Sequence, residues 1–111
     1  MLPKKRRVKI ADFNKNPKSP IKKYSTNFSL FKKGGNKKGW KFAINIPFQT
    51  DKRASRRNYS RRITEKVIRE EYNNLNGGGE ALIRIKKNID QENKELMEAE
   101  LRKILNNEFS W

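Results

Sequence analysis

Residues 53–73 read RASRRNYSRRITEKVIREEYN, with no Gly or Pro to interrupt them. Ile63, Val67, Ile68 and Tyr72 recur at helical spacing and predict an amphipathic helix whose apolar stripe needs a core to lie on. Its head has a different character. Lys52, Arg53, Arg56, Arg57, Arg61 and Arg62 accumulate before any acid, and Glu65, Glu70 and Glu71 follow the cluster rather than dividing it. Arg57 and Arg61 lie one turn apart, as do Asn58 and Arg62, so two adjacent rows of donors share one side of the helix. Such like charges repel in an isolated helix. Phosphates would compensate them, with Arg donating in bidentate fashion and Asn adding a bond to sugar or base. A helix face that is merely solvated is the bland alternative. Arg53, Arg56, Arg57, Asn58, Arg61 and Arg62 are the candidate polyanion-binding residues.

Outward from this helix the period changes from helical to alternating. Upstream, Trp40, Phe42, Ile44 and Ile46 share one face and Lys41, Ala43 and Asn45 the other, a strand that Pro47 limits because it cannot donate to a ladder. Before it, Tyr24, Thr26, Phe28 and Leu30 alternate with Ser25, Asn27, Ser29 and Phe31, a second half-buried strand. The stretch 32–39 between them contains Gly34, Gly35 and Gly39 and reads as a turn that presents Lys32, Lys33, Lys37 and Lys38. Residues 7–16 form a short helix carrying Phe13, ended by Pro17 and Pro20. Downstream, 76–79 closes the long helix, and Ala81, Ile83 and Ile85 form the inward face of another strand.

Residues 90–105 close the chain as an amphipathic helix with Leu96, Met97, Leu101, Ile104 and Leu105 inside. Asp90/Lys94 and Glu98/Arg102 are its expected ion pairs, and Phe109 and Trp111 either close the core or fray. The order is α-β-β-(β)-α-β-α, an α+β fold built as a two-layer sandwich with helices on one face of a small sheet. The opposite sheet face would display Asn27, Ser29, Phe31, Lys41, Ala43 and Asn45, with Phe31 central. Phe13 divides evenly between a stacking surface and a core anchor, and Trp40 belongs to the core.

A length of 111 residues fits one domain, 1–111, in which residues 1–8 form a basic arm. The run Pro3 to Val8 also resembles a nuclear import signal, a pattern that arises by chance in a chain so rich in Lys. The net charge is +16, and it is unevenly placed. Residues 1–62 carry 20 Lys and Arg against Asp12 and Asp51, while 63–111 carry eight against ten acids. A basic half beside a near-neutral half implies one polyanion-binding surface on a separate scaffold. With no Cys and no His, thiol nucleophiles, disulfides, the Ser/His/Asp constellation and most transition-metal sites are excluded. No run is long enough to cross a bilayer, so a cytoplasmic protein without a membrane partner is expected.

Ala54, Arg57, Asn58, Tyr59, Arg61 and Arg62, in that spacing, resemble the signature of the bacterial ribonuclease P protein, which typically reads Ala-x-x-Arg-Asn-Arg-x-Lys-Arg. Arg7-Val8-Lys9 with Ala11-Asp12-Phe13-Asn14 is similar to the family's opening, and the aromatic-bearing strand, Gly-rich turn and final helix follow the family's order. The resemblance implies a left-handed crossover around the Arg-rich helix, an exception to the usual handedness, as in the second domain of one small-subunit ribosomal protein. It also implies a subunit of the ribonuclease P holoenzyme, an endoribonuclease that removes the 5′ leader of precursor tRNA. The chemistry would be carried by the catalytic RNA and by Mg²⁺ held mainly on that RNA. This chain would contribute no catalytic or metal-ligating residue, and no obligate protein partner is evident.

By position, Arg53, Arg56, Arg57, Asn58, Arg61 and Arg62 would bind the catalytic RNA, and Phe13, Asn14, Phe31, Lys41 and Asn45 the leader. Exposed aromatics on a basic sheet independently suit unpaired bases. The chain departs from the family at Tyr59, where a second Arg is usual, at Glu65, where a basic residue is common, and at Pro47 and Phe48, where small polar or basic residues are usual. A ribosomal or other structural RNA-binding protein is the alternative function, and a self-sufficient metal nuclease is a rival of another class.

Overall fold

A computed structural model describes residues 6–15, 19–35, 39–47, 53–75 and 77–108. The elements run α1 (Ile10–Lys15), β1 (Ile21–Tyr24), β2 (Phe28–Gly34), β3 (Trp40–Asn45), α2 (Ala54–Glu71), a 3-10 turn (Tyr72–Asn74), β4 (Gly79–Ile85) and α3 (Lys94–Glu108). The mixed α+β order is the expected one, with the optional third strand present before the long helix. In the sheet the strands lie in the order β1-β2-β4-β3. β4 is antiparallel to β2 and parallel to β3, so α2 is the crossover between two adjacent parallel strands.

One sheet face, α2 and α3 enclose the main core. Phe28 and Leu30 from β2, Trp40 and Phe42 from β3, Ala81, Ile83 and Ile85 from β4, Ile63, Val67 and Ile68 from α2, and Met97, Leu101 and Leu105 from α3 are all buried there. Trp40 is the largest of these and is 1% exposed, in keeping with the alternation of its strand. Gly79 is where three strands meet, opposite both Gly34 and Trp40. Its φ of +145° excludes most side chains, and an added Cβ would stand 2.3 Å from the Lys33 carbonyl oxygen.

Several expectations are corrected by tertiary contacts. The alternating run 24–31 is not one strand: Ser25 N–H donates to the Phe28 carbonyl at 2.8 Å, closing a tight turn between β1 and β2. Tyr24 therefore leaves the core face and is 65% exposed. Asn27 leaves the opposite face, because its backbone N–H and Nδ2 both donate to Glu100 of α3 at 2.8 Å, where the Ser25 hydroxyl donates as well. Lys32 and Lys33 are buried residues of β2 rather than loop cations, while Lys37 and Lys38 lie outside the described residues.

α2 and α3 share one face, as expected, but α1 packs on the other. There Phe13, 3% exposed, joins Ala43 and Leu82, with Val8 and Phe31 packed against them. The Lys33 ammonium donates to the Phe13 carbonyl at 2.7 Å and sits 4.4 Å from the centre of its ring. Phe13 is thus a core anchor, and its large apolar ring explains why a six-residue helix stays docked.

The closing helix begins at Lys94 because Asp90 is occupied in the preceding turn, where its Oδ1 accepts the N–H groups of Glu92 and Asn93 at 2.9 Å. Leu96, one residue from Met97 and so about 100° round the helix, is 77% exposed rather than buried. The ionic contacts run between helices instead of along α3. Arg102 pairs with Glu70 and Glu71, and Lys66 with Glu98 at 3.3 Å. The hydrogen bond from Arg102 holds the Glu70 carboxyl below its ordinary value. Phe48, Phe109 and Trp111 lie outside the described residues.

Two consequences can be measured. Burial pushes the Glu100 carboxyl upward, but the donors on Ser25 and Asn27 outweigh it and leave a net lowering. A carboxylate lowered in the folded state contributes stability that is fully present above its unfolded value and lost as pH falls through the folded one. Denaturant titrations of wild type and Glu100→Gln should therefore differ by about 1–3 kcal/mol at neutral pH, and the difference should shrink below roughly pH 4.3. Phe13→Ala should lower the unfolding free energy by about 3 kcal/mol, and an unchanged denaturation midpoint would show that α1 is not anchored through this ring.

Candidate nucleic-acid interface

The head of α2 collects the basic residues that the sequence singles out. Arg53 is the helix N-cap, with extended backbone and no side-chain bond to the first turn, and no acid occupies that turn. Helix N-termini favour anions, yet Arg56, Arg57, Arg61 and Arg62 follow within two and a half turns, and all but the half-buried Arg57 are exposed, as is Asn58. Cations in the first turn, here Arg56 and Arg57, oppose the helix dipole, and an anion placed there would offset them. Backbone N–H groups and guanidiniums together form a donor set chemically suited to an anion such as phosphate.

The inner side of the same segment is pinned. Ser60 is fully buried, its hydroxyl donating to Asn88 Oδ1 and accepting the Ile89 N–H, both at 2.9 Å. This ties α2 to the link between β4 and α3. On one flank Arg61 borders a hollow of about 440 Å³ between α2, β3 and residues 7–10. On the other, Ser55, Arg56 and Tyr59 border a hollow of about 520 Å³ whose far wall is residues 88–92. Glu65 is buried at the rim of the first hollow rather than displayed among the arginines. Its charge is withdrawn from the exposed basic surface.

Residues 6–8 of the basic arm are placed against the sheet. Arg7 bridges to Phe42 in parallel fashion, and Val8 N–H donates to the Phe42 carbonyl at 3.0 Å. Arg6 lies over the Tyr72 ring at 3.9 Å from its centre. The edge of β3 is thereby covered by the chain's own N-terminal segment. Residues 1–5 lie outside the described residues.

Cross-strand register assembles the second surface, on the sheet face that carries α1. Opposed residues form one row of Tyr24, Ser29, Arg84 and Asn45, a second of Lys22, Phe31, Leu82 and Ala43, and a third of Lys33, Glu80 and Lys41. Phe31, Lys41 and Asn45 come together on this face and are half-buried, and Asn14 is exposed on α1 beside it. Phe13 lies beneath, in the small core under α1. Tyr24 stands edge-on to Phe31 with ring centres 6.2 Å apart, and the Lys86 ammonium is 5.6 Å from the Tyr24 ring. Tyr24, Arg84 and Lys86 were missed by sequence reasoning. Period 2 carried through an unseen turn put Tyr24 on the wrong face; the run Ser25-Thr26-Asn27, all turn-forming residue types, is the local signal that could have found it.

Among the described residues no group of three or more His, Cys, Asp or Glu side chains gathers to hold a metal ion, and no helix is long and apolar enough to cross a membrane. Of the carboxylates on the last helix, Glu98 pairs with Lys66 and Glu100 holds the β1–β2 turn. Among the described residues these carboxylates do not gather into a donor set that fits Mg²⁺.

Comparison with known proteins adds to this geometry. A family model described as Ribonuclease P matches residues 2–108. Among solved structures, the fold is similar to the RNase P protein of Thermotoga maritima, with a TM-score of 0.74 and 14% identity over 91% of this chain and 96% of that one. It is also similar to the RNase P protein of Staphylococcus aureus, with a TM-score of 0.67 and 14% identity over 92% and 90% of the two chains. A mutant of the Staphylococcus aureus protein described as defective in mRNA degradation gives a TM-score of 0.68 at 15% identity, over 94% and 85%. No curated protein sequence matches closely enough to be counted a relative.

Proposed function

The chain belongs to the ribonuclease P family, as a protein subunit of an endoribonuclease of tRNA processing, and from that premise we propose how its two surfaces divide the work. The head of α2 docks on the catalytic RNA through Arg53, Arg56, Arg57, Asn58, Arg61 and Arg62. The sheet face beside α1 holds the 5′ leader of precursor tRNA. The observation that carries the division is the row Tyr24, Ser29, Arg84 and Asn45, lying beside Phe31 on a face that neither α2 nor α3 covers.

Unpaired leader bases need stacking surfaces and a cationic track for their phosphates. Tyr24 and Phe31 supply the first, while Lys22, Lys41, Arg84 and Lys86 supply the second. Asn14 and Asn45 offer amide hydrogen bonds to bases or sugars. Phe13 acts from below by fixing α1 at the border of this surface. Contacts of this kind are sequence-tolerant, because every base has a π-face.

Bond breaking belongs to the RNA in this reading. The chain offers neither His nor Cys, and the Glu98 and Glu100 carboxylates are engaged elsewhere. Mg²⁺ would be held by RNA phosphates, and the protein would raise the share of precursor bound in register. Placement of the complex in the cytoplasm belongs to the same proposal. A general structural RNA binder is not favoured, since the family match runs through nearly the whole described chain.

The deciding experiment compares the affinity of precursor and mature tRNA for the catalytic RNA with and without this protein. A gain confined to the precursor is expected, and equal gains for both would overturn the leader role. Tyr24→Ala should weaken precursor binding by about 1–3 kcal/mol and leave mature tRNA unaffected. Arg57→Ala and Arg61→Ala should each weaken association with the catalytic RNA by about 1–3 kcal/mol and flatten its salt dependence. Cleavage at the 5′ site by the protein and Mg²⁺ without RNA would refute the assignment of chemistry to the RNA.

A further inference from the structure

The hollow between the head of α2 and residues 88–92 differs in chemistry from the rest of the basic surface. At about 520 Å³ it falls in the range of about 300–1,000 Å³ found for small-ligand sites. One wall is Arg56 and Tyr59. The other carries Asn88, Asp90, Gln91 and Glu92. Two carboxylates facing an arginine-rich helix are unsuited to a phosphate inside the hollow. They suit a group that donates hydrogen bonds.

The far wall is preorganised. Asn93 Oδ1 accepts the Asp90 N–H at 2.8 Å, its Nδ2 donates to the Asn88 carbonyl at 3.0 Å, and Ser60 clamps Asn88 and Ile89 from within. Asp90 Oδ1 is occupied by two backbone donors, whereas Glu92 is exposed at the rim. Tyr59 is half-buried, packs against the main core from α2 and lines the hollow.

We infer that this hollow receives one unpaired guanine of the RNA that docks on α2, an inference that rests on the RNA-docking reading of that helix. Tyr59 supplies the stacking face, Arg56 the cation for the adjoining phosphate, and Glu92 the acceptor for the base edge. Guanine is the standard base whose Watson–Crick edge offers two adjacent donors, N1–H and the N2 amino group, and a carboxylate with two acceptor oxygens matches that pair. Adenine, cytosine and uracil each place an acceptor beside their donor. A carboxylate would repel it.

The test titrates the full ¹⁵N-labelled chain with GMP, AMP, CMP, UMP and ribose 5-phosphate while following the amides of residues 88–92. GMP should move these signals with about tenfold higher affinity than the other nucleotides, and Glu92→Gln should erase that preference while the fold persists. Tyr59→Phe should keep binding and Tyr59→Ala should lose it. Equal shifts with ribose 5-phosphate, equal affinity for all four nucleotides, or no shift at 88–92 would each overturn the inference. Assembly of Arg57→Ala and Arg61→Ala with the catalytic RNA is measured in parallel. Weakened assembly without GMP binding sinks the guanine site alone, whereas unaltered assembly sinks the docking reading and with it the assignment of the guanine to that RNA.

Discussion

β4 is hydrogen-bonded on both sides, and its two neighbours do not pair with each other. Residues 79–85 must therefore enter between β2 and β3 before a four-stranded sheet can exist. Because β4 runs parallel to β3, the chain between them has to travel the length of the sheet and return, and α2 is that passage. The position of the arginine-rich helix head follows from this insertion. Gly79 marks where the insertion is tightest, since the backbone of β2 occupies the space a side chain would need.

The same arrangement separates charge by task. Arg56, Arg61 and Arg62 stand exposed along the first two and a half turns of α2. The acids further along α2 are turned to structural ends instead: Glu70 and Glu71 pair with Arg102, and Glu65 is buried. The exposed pairs among these contribute little to stability. They place these carboxylates away from the exposed arginines at the head of α2. Tyr59, which departs from the family's usual triplet, borders a hollow rather than joining the exposed arginine rows.

The β1–β2 turn links stability to the second surface. Glu100 accepts from Ser25 and Asn27 across more than seventy residues of sequence, and the turn it holds presents Tyr24 beside Phe31. Ser25, Thr26 and Asn27 are turn-forming types, but they also fit the alternating positions of a single strand, and it is the bonds of Ser25 and Asn27 to Glu100 that hold the break between Tyr24 and Phe28. Trp40 and Phe42 were legible because one unbroken strand carries their period to one core. Phe13 was legible as important but not in its role, since a short helix can offer an aromatic to solvent or to a sheet with equal local cost.

By itself the sequence determined the long and closing helices, the apolar stripe of the long one, the placement of cations at the head of α2, and the family signature that Arg57, Asn58, Arg61 and Arg62 carry. Each of these is local, readable from spacing within a few turns or from residue type. Only the tertiary structure decided that α1 takes the sheet face opposite α2 and α3, that Lys33 lies buried against Phe13, and that Tyr24, Arg84 and Asn45 share one row. Those outcomes depend on strand order and register, which are set by contacts between residues far apart in the chain.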